Sequence, residues 1–279
     1  MPVEHAHEGL TQYAPVLFNI GPLPVTNSML AAWAVTLCIL FVVRAAAGKI
    51  SLVPHAMQNF LEFVIETLYE TLDGILGAHL VRKTFWFFAT VFLFILFGNW
   101  LGLLPFFGNL TVVPAVSEGH EAAGRVGLLR GANADLNMTL ALATVYGVVW
   151  LYWAVREVGV WGILKEIFGV KGGLTGLMKW ILFPIFFLVG IIEVISILFR
   201  QVSLPLRLYG NIFAGENLLE VMTSMGVNAQ GILFKAVGVL LPFPFYCLEI
   251  LVGFVQAFVF MLLTAVFTAT MCKHEEESH

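Results

Sequence analysis

The sequence predicts an all-α integral membrane protein with an odd number of spanning helices. Hydrophobic residues make up 59% of the 279 residues and charged residues only 11%, whereas charged residues make up about 25% of an ordinary soluble domain. The apolar residues form long uninterrupted stretches, as a spanning helix of about 20 residues requires. This composition excludes a soluble enzyme, a disordered chain and a disulfide scaffold. The net charge of −4, without a basic patch, argues against nucleic acid as a partner.

Three apolar stretches have the length of one span each, and two are much longer. The shorter ones cover 28–43, 84–107 and 137–155, and the longer ones cover 180–225 and 231–271. Each long stretch is compatible with two ordinary spans or with one inclined helix. A helix of about 44 residues is roughly 66 Å long and must lie about 60° from the membrane normal to fit the apolar core. The two alternatives give five or seven spans.

The segment between the first two spans has helical amphipathic spacing. Met57–Leu76 repeats apolar residues every three or four positions, and its acidic residues fall on the other side: Glu62, Glu66, Glu70 and Asp73. This pattern predicts an amphipathic helix on the cytoplasmic membrane surface or against a partner. The role of the Gly- and Ala-rich 108–136 loop stays open.

The basic residues set the predicted orientation. Nine Lys and Arg residues lie in the loops on one side and three in the loops on the other. The positive-inside rule places the C-terminus in the cytoplasm and the N-terminus outside. We therefore expect one membrane domain, 1–279, with an outward-facing segment 1–27, a helical membrane region 28–271 and a cytoplasmic acidic tail 272–279.

Six ionisable residues lie within the two long stretches. Each costs on the order of 2.5–3.5 kcal/mol at the centre of a spanning helix, so each must face water, another charge or a partner. They are Glu193, Arg200, Arg207, Glu216, Glu220 and Glu249. Intramembrane charges usually mark an ion path, which favours ion transport over a structural role. The seven histidines lie outside the apolar stretches, and we expect neither a cofactor nor a metal site.

Three of these charges share one helical stripe. Glu193, Arg200 and Arg207 are seven residues apart, which turns successive side chains by only about 20°. Ser203 and Asn211, four residues before and after Arg207, fall on the same side. One face of the fourth apolar stretch is therefore polar.

A second polar stripe belongs to the last stretch, where Glu249 and Gln256 are also seven residues apart. With the predicted orientation, Arg207 lies near the middle of the membrane, and Glu216, Glu220 and Glu249 lie toward the outside. Glu216 is nine residues from Arg207 and points the opposite way. Acidic groups on both sides of a central cation suit two half-channels, one open to each surface.

Several segments resemble subunit a of F-type ATP synthases. The most specific is VSLPLRLYGNIFAGE, Val202–Glu216, together with the later VQAFVFMLLTAVF, Val255–Phe267. The other matching segments are IEVIS around Glu193, FGNWLGLLP from Phe97 and ADLNMTLALA from Ala134. The resemblance covers nearly the whole chain after Ser28.

The resemblance implies a proton-translocating stator subunit in a bacterial plasma (inner) membrane. In this family the last two helices are long, steeply tilted and form a hairpin against a rotating ring of c subunits, which implies about five spans. The implied partners are the c-subunit ring, the peripheral-stalk b subunits, the rest of the F-type complex and the lipid bilayer. The chain itself would be a non-catalytic subunit without an active site for ATP.

The resemblance also implies residue roles. Arg207 matches the essential charge that faces the c-ring. The outward half-channel would contain Asn211, Glu216, Glu249 and Gln256, with Glu220 as a further candidate, and the cytoplasmic half-channel would contain Glu193, Arg200 and Ser203. Two features depart from many relatives: Pro205, which is expected to loosen the helix locally, and an acidic residue at both Glu216 and Glu249 where many relatives have one histidine.

Two other classes of protein are alternatives to this interpretation. A self-contained secondary antiporter or channel usually has broken helices in inverted repeats, and the sequence contains no such repeat. A purely structural scaffold has no use for six intramembrane charges. The sequence does not decide between proton and sodium specificity, although protons are favoured.

Overall fold

The protein is described by a computed structural model over residues 14–47, 56–104, 110–112, 126–169, 177–227 and 240–272. Strands β1, Val16–Ile20, and β2, Leu23–Thr26, pair antiparallel, as do β3, Thr111–Val112, and β4, Val126–Gly127. The described helices are α1 Asn27–Ala47, α2 Ala56–Leu76, α3 Ala78–Gly102, α4 Leu136–Glu157, α5 Gly159–Phe168, α6 Leu177–Val227 and α7 Pro242–Cys272.

Five of these helices are long and apolar enough to cross a membrane, namely α1, α3, α4, α6 and α7. They coincide with the five apolar stretches of the sequence, which confirms an all-α membrane protein with five candidate spans. The fourth stretch is one helix of 51 residues rather than two spans. Its apolar part, Ile181–Ser224, contains 44 residues. That length exceeds a bilayer core of roughly 30 Å about twofold, so the helix requires a steep inclination.

Helices α6 and α7 form the expected hairpin. The Arg200 guanidinium lies over the Phe267 ring at 4.7 Å, and the Asn211 amide bonds to Gln256 at 2.9 Å. A residue further along α6 therefore contacts a residue earlier in α7, as antiparallel packing requires. Pro184 and Pro205 lie inside α6 without ending it, so the loosening expected at Pro205 does not interrupt the helix.

The core lies where α7 packs against α3. Phe88 and Ile95 of α3 are fully buried with Phe260 of α7, and small residues such as Ala257 and Ala265 let the helix backbones approach. The prediction of an amphipathic α2 is confirmed. Its C-terminal half buries three leucines against this core, while its N-terminal half leaves apolar side chains exposed.

Two features were not predicted from the sequence. One is the short helix α5, which follows α4 after Val158. The other is a polar link between the N-terminal ends of α1 and α4. Asp135 caps α4 by accepting from the Asn137 backbone N–H at 3.0 Å, and it accepts the Ser28 hydroxyl at 2.6 Å. The chain segment just before Asp135 is thereby held beside α1.

Candidate functional site

The polar residues of α6 gather in two regions at opposite ends of its contact with α7. One region is a cavity beside Glu193, here called the Glu193 cavity. The other is a group of three carboxylates and one guanidinium, here called the Glu216 cluster. It consists of Glu216, Glu220, Glu249 and Arg130. Arg207 lies between the two regions along α6.

The Glu193 cavity has a volume of about 190 Å³, which gives room for several water molecules. Its wall is contributed by four helices, α4, α5, α6 and α7. The polar and aromatic lining residues are Tyr146, Trp150, Glu166, Glu193, Arg200, Gln201, Phe267 and Thr270. Glu193 and Arg200 thus share one cavity, as their seven-residue spacing predicts.

Arg200 is positioned by α7, because its guanidinium lies 4.7 Å above the Phe267 ring and forms a cation–π contact. Ser203 does not line this cavity. Its hydroxyl instead donates to the Arg200 carbonyl oxygen at 3.3 Å. Glu166 and Tyr146 line the same cavity but were not identified from the sequence, since one belongs to the unexpected helix α5 and the other is one aromatic among many.

Glycines make room for the carboxylates of the Glu216 cluster. A Cβ atom on Gly102 would lie 3.7 Å from Glu216 Oε1, and one on Gly131 would collide with that oxygen. A Cβ atom on Gly215 would collide with the Glu249 carboxylate in the same way. Gly131 and Gly215 therefore leave the space in which the Glu216 and Glu249 carboxylates lie.

The Glu216 cluster contains one buried cation. Arg130, in the segment before α4, is 6% exposed, and its guanidinium lies 5.8 Å from the centre of the Phe213 ring. Glu216 interacts electrostatically with Arg130, Glu249 and Glu220. Glu249 is also 6% exposed, and its Oε1 accepts no hydrogen bond from the described residues. The carboxylates were predicted from the sequence, whereas Arg130 was not.

Amide side chains also form hydrogen bonds that connect α7 to α6 and to α3. Asn211 donates to Gln256 at 2.9 Å, so these two candidate residues meet between the helices. Asn99 of α3 donates to the Gly253 carbonyl at 2.9 Å, and Asn133 donates to Asn99 at 2.7 Å. Asn99 and Asn133 were not predicted. Asn99 lies inside the second apolar stretch, where an asparagine is a usable signal because burying an unpaired amide is costly.

Arg207 is exposed on a face of α6 that other described helices do not cover. It has no carboxylate within ion-pair distance in the part of the chain that the structure describes. Only 6% of the most apolar window of α6 is buried. Glu216, about two and a half helical turns further along α6, faces the bundle instead, in agreement with the nine-residue spacing.

A comparison of the chain with known families finds a match to one of them. The model of the family described as the ATP synthase A chain matches residues 28–269, nearly the full chain. The chain belongs to the ATP synthase A chain family. The match includes most of each of the five candidate spans, together with Arg207 and all four residues of the Glu216 cluster.

Curated relatives agree with this assignment. The chain is 34% identical to "ATP synthase subunit a 1" of Syntrophotalea carbinolica over 99% of its own length and 95% of the relative's. It is 30% identical to "ATP synthase subunit a" of Gloeobacter violaceus, over 94% and 90% of the two lengths. A third relative, from Propionigenium modestum, is named "ATP synthase subunit a, sodium ion specific" and is 29% identical over 88% and 73%.

Proposed function

We propose that the chain is the proton-translocating stator subunit of a bacterial ATP synthase, with two half-channels separated by Arg207. The observation that carries the proposal is the arrangement along α6. The Glu193 cavity, which Arg200 also lines, lies on one side of Arg207, and the Glu216 cluster lies on the other. At 1.5 Å per residue, these regions begin about 21 Å before and about 14 Å after Arg207.

In this proposal the Glu193 cavity opens to the cytoplasm and the Glu216 cluster to the outside. The excess of basic residues in one set of loops supports this orientation, with the N-terminus outside and the C-terminus in the cytoplasm of a plasma membrane. Glu193, Arg200 and Ser203 belong to the cytoplasmic path. Asn211, Glu216, Glu249 and Gln256 belong to the outward path, with Glu220 at its edge.

Arg207 acts as a fixed charge because a guanidinium is not deprotonated in proteins. Two unit charges 4 Å apart attract by about 4 kcal/mol at an effective dielectric constant of 20. A carboxylate on a passing rotor subunit is therefore held ionised beside Arg207, while a carboxylate facing lipid must be neutral. The same charge repels a proton moving directly between the half-channels, so a proton crosses only by riding on the rotor.

The rotor itself is a partner in this proposal. Exposed apolar side chains flank Arg207 on α6, among them Phe199, Val202 and Leu206. A long inclined helix needs a surface to lean on, and a ring of c subunits with one carboxylate each supplies both the surface and the charge. The peripheral-stalk b subunits complete the stator.

The test is ATP-driven acidification of inverted membrane vesicles that carry Arg207→Ala, with assembly verified by the co-purified subunits. Pumping should be lost in an assembled complex, and passive proton leak should rise. Arg156→Gln is the control, because Arg156 is an exposed arginine that bonds to the Tyr152 hydroxyl at one end of α4. Normal coupled pumping by the Arg207→Ala complex would overturn the proposal.

The transported ion is tested in the same vesicles. Proton transport predicts acidification without added sodium and its collapse by a protonophore. The sodium-specific relative from Propionigenium modestum defines the alternative outcome. Transport that requires sodium and persists with a protonophore would show that sodium takes the place of the proton in this mechanism. The role of Arg207 would then be unchanged.

A further inference from the structure

Arg130 is a buried cation that the mechanism proposed above does not use. It is only 6% exposed, although it lies in a connecting segment between β4 and the turn before α4. Removing a guanidinium from water is unfavourable unless a carboxylate compensates its charge. A surface position is available to most loop arginines, so the burial of this one calls for an opposite charge nearby.

The surrounding chain holds Arg130 in this position. Before it, Asn27 donates to the Gly127 carbonyl oxygen at 3.1 Å. After it, Asp135 accepts the Ser28 hydroxyl and caps α4. Both anchors connect the segment to the start of α1, and the guanidinium then reaches α6, where it lies over the Phe213 ring.

The charged groups around Arg130 are carboxylates. Glu216 and Glu220 belong to α6 and Glu249 to α7, and Glu216 interacts electrostatically with Arg130 and with the other two carboxylates. Helix α3 contributes Gly102, which has no side chain. Asp135, which caps α4, accepts a hydrogen bond from the Ser28 hydroxyl. Glu249 is almost fully buried, and its Oε1 has no donor among the described residues. The cluster therefore contains one buried cation and two carboxylates, with a third carboxylate at its edge.

We infer that Arg130 is the fixed counter-charge of the Glu216–Glu249 pair and a positioning residue of the outward half-channel. The inference rests on the proposed function. One carboxylate charge is balanced by Arg130, so the site is neutral when the pair holds one proton and negative when it holds none. A buried site returns to neutrality by taking up a proton from water. Arg130 thus keeps one carboxylate ionised and leaves the other to bind and release the transported proton.

The experiment compares Arg130→Gln with Arg130→Lys in the assembled ATP synthase, again by ATP-driven pumping in inverted vesicles. Arg130→Gln should lower pumping at least tenfold, because the Glu216–Glu249 pair then has no buried cation to balance its charge. Arg130→Lys keeps the charge without the planar group over Phe213, and should retain at least half of the normal rate. Arg156→Gln is the matched control with unchanged pumping. Normal pumping by Arg130→Gln, or equal defects in Arg130→Gln and Arg130→Lys, would refute the role of the charge.

A failure of Arg130→Gln to assemble is also informative. The inference attributes such a failure to uncompensated buried carboxylates, so Arg130→Gln combined with Glu216→Gln should restore the co-purified complex. Lack of restoration would refute the inference. Arg207→Ala in parallel separates the two proposals: normal pumping by that variant contradicts the proposed function, whereas its loss beside normal Arg130→Gln pumping contradicts only the role of Arg130.

Discussion

Gly215 offers the sharpest test of the Glu216 cluster, because its missing side chain is the space that Glu249 occupies. A methyl group at position 215 would collide with both oxygens of the Glu249 carboxylate. Overpacking of this kind costs about 1–3 kcal/mol, and the higher helix propensity of alanine returns up to about 1 kcal/mol. The folded chain should therefore survive Gly215→Ala.

The functional effect should be much larger than the effect on stability. The carboxylate must move by roughly 1 Å, and a displacement of that size can slow a reaction between positioned groups about 100-fold. We expect Gly215→Ala to reduce ATP-driven pumping between tenfold and 100-fold at normal assembly. A second change, Glu249→Asp, shortens the side chain by one methylene and should restore part of the rate.

Pumping rates and co-purified subunits are measured in the same vesicle preparations. Gly74→Ala is the matched control, since Gly74 lies in helix α2 with open space around its Cα, and its pumping should equal that of the wild type. Gly215→Ala pumping within twofold of the wild-type rate would show that the position of Glu249 does not limit transport. Such a result would refute the space at Gly215 as a functional feature.

Three further predictions concern other parts of the chain. Gly210 is exposed with open space around it and lies about one helical turn after Arg207 on α6. Gly210→Leu should therefore leave the helix content unchanged by circular dichroism but abolish co-purification of the c-ring. A retained ring would contradict the proposed rotor surface. Asn211→Ala and Gln256→Ala should show a coupling energy of about 0.5–3 kcal/mol in a double-mutant cycle on the pumping rate, and additive effects would contradict a functional hydrogen bond. Asp135→Ala removes the cap of α4 and should destabilise the complex by about 1–3 kcal/mol in thermal unfolding, more than Ser28→Ala does; an unchanged Tm would contradict the polar link.

The sequence predicted the polar residues that stand out against an apolar background. Glu193 and Arg200 share a cavity because a seven-residue step returns a side chain to nearly the same helix face. Asn211 and Gln256 meet because their helices pack as an antiparallel hairpin. For such residues, helical spacing and the cost of burying polar groups are enough to indicate a site.

Other site residues could not be predicted because their importance depends on tertiary packing. Arg130 lies in a Gly-rich connection, where an arginine is expected at the surface, and only its approach to Phe213 and Glu216 distinguishes it. Gly131 and Gly215 have no side chain to signal a function. Their role appears when a carboxylate from another position is found against them.

The number of spans also illustrates this limit. Apolar length alone permits one inclined helix or two ordinary spans in the fourth stretch, and both bury similar side chains in lipid. Only 6% of the most apolar window of the continuous 51-residue α6 is buried within its own chain. A helix of that length stays inclined only when another surface supports it, so the information missing from this sequence belongs to the partner.

The two faces of α6 restrict the path that an ion can take. Arg207 is exposed on one face, and Glu216, nine residues later, faces the bundle on the other. In the proposed function, an ion that enters at the Glu216 cluster must therefore cross from the inner to the outer face of the helix before it meets the rotor. The Asn211–Gln256 hydrogen bond lies along the α6–α7 interface between these two positions. Because amide groups both donate and accept hydrogen bonds, this pair provides polar contacts at the place where the proposed path passes between the helices.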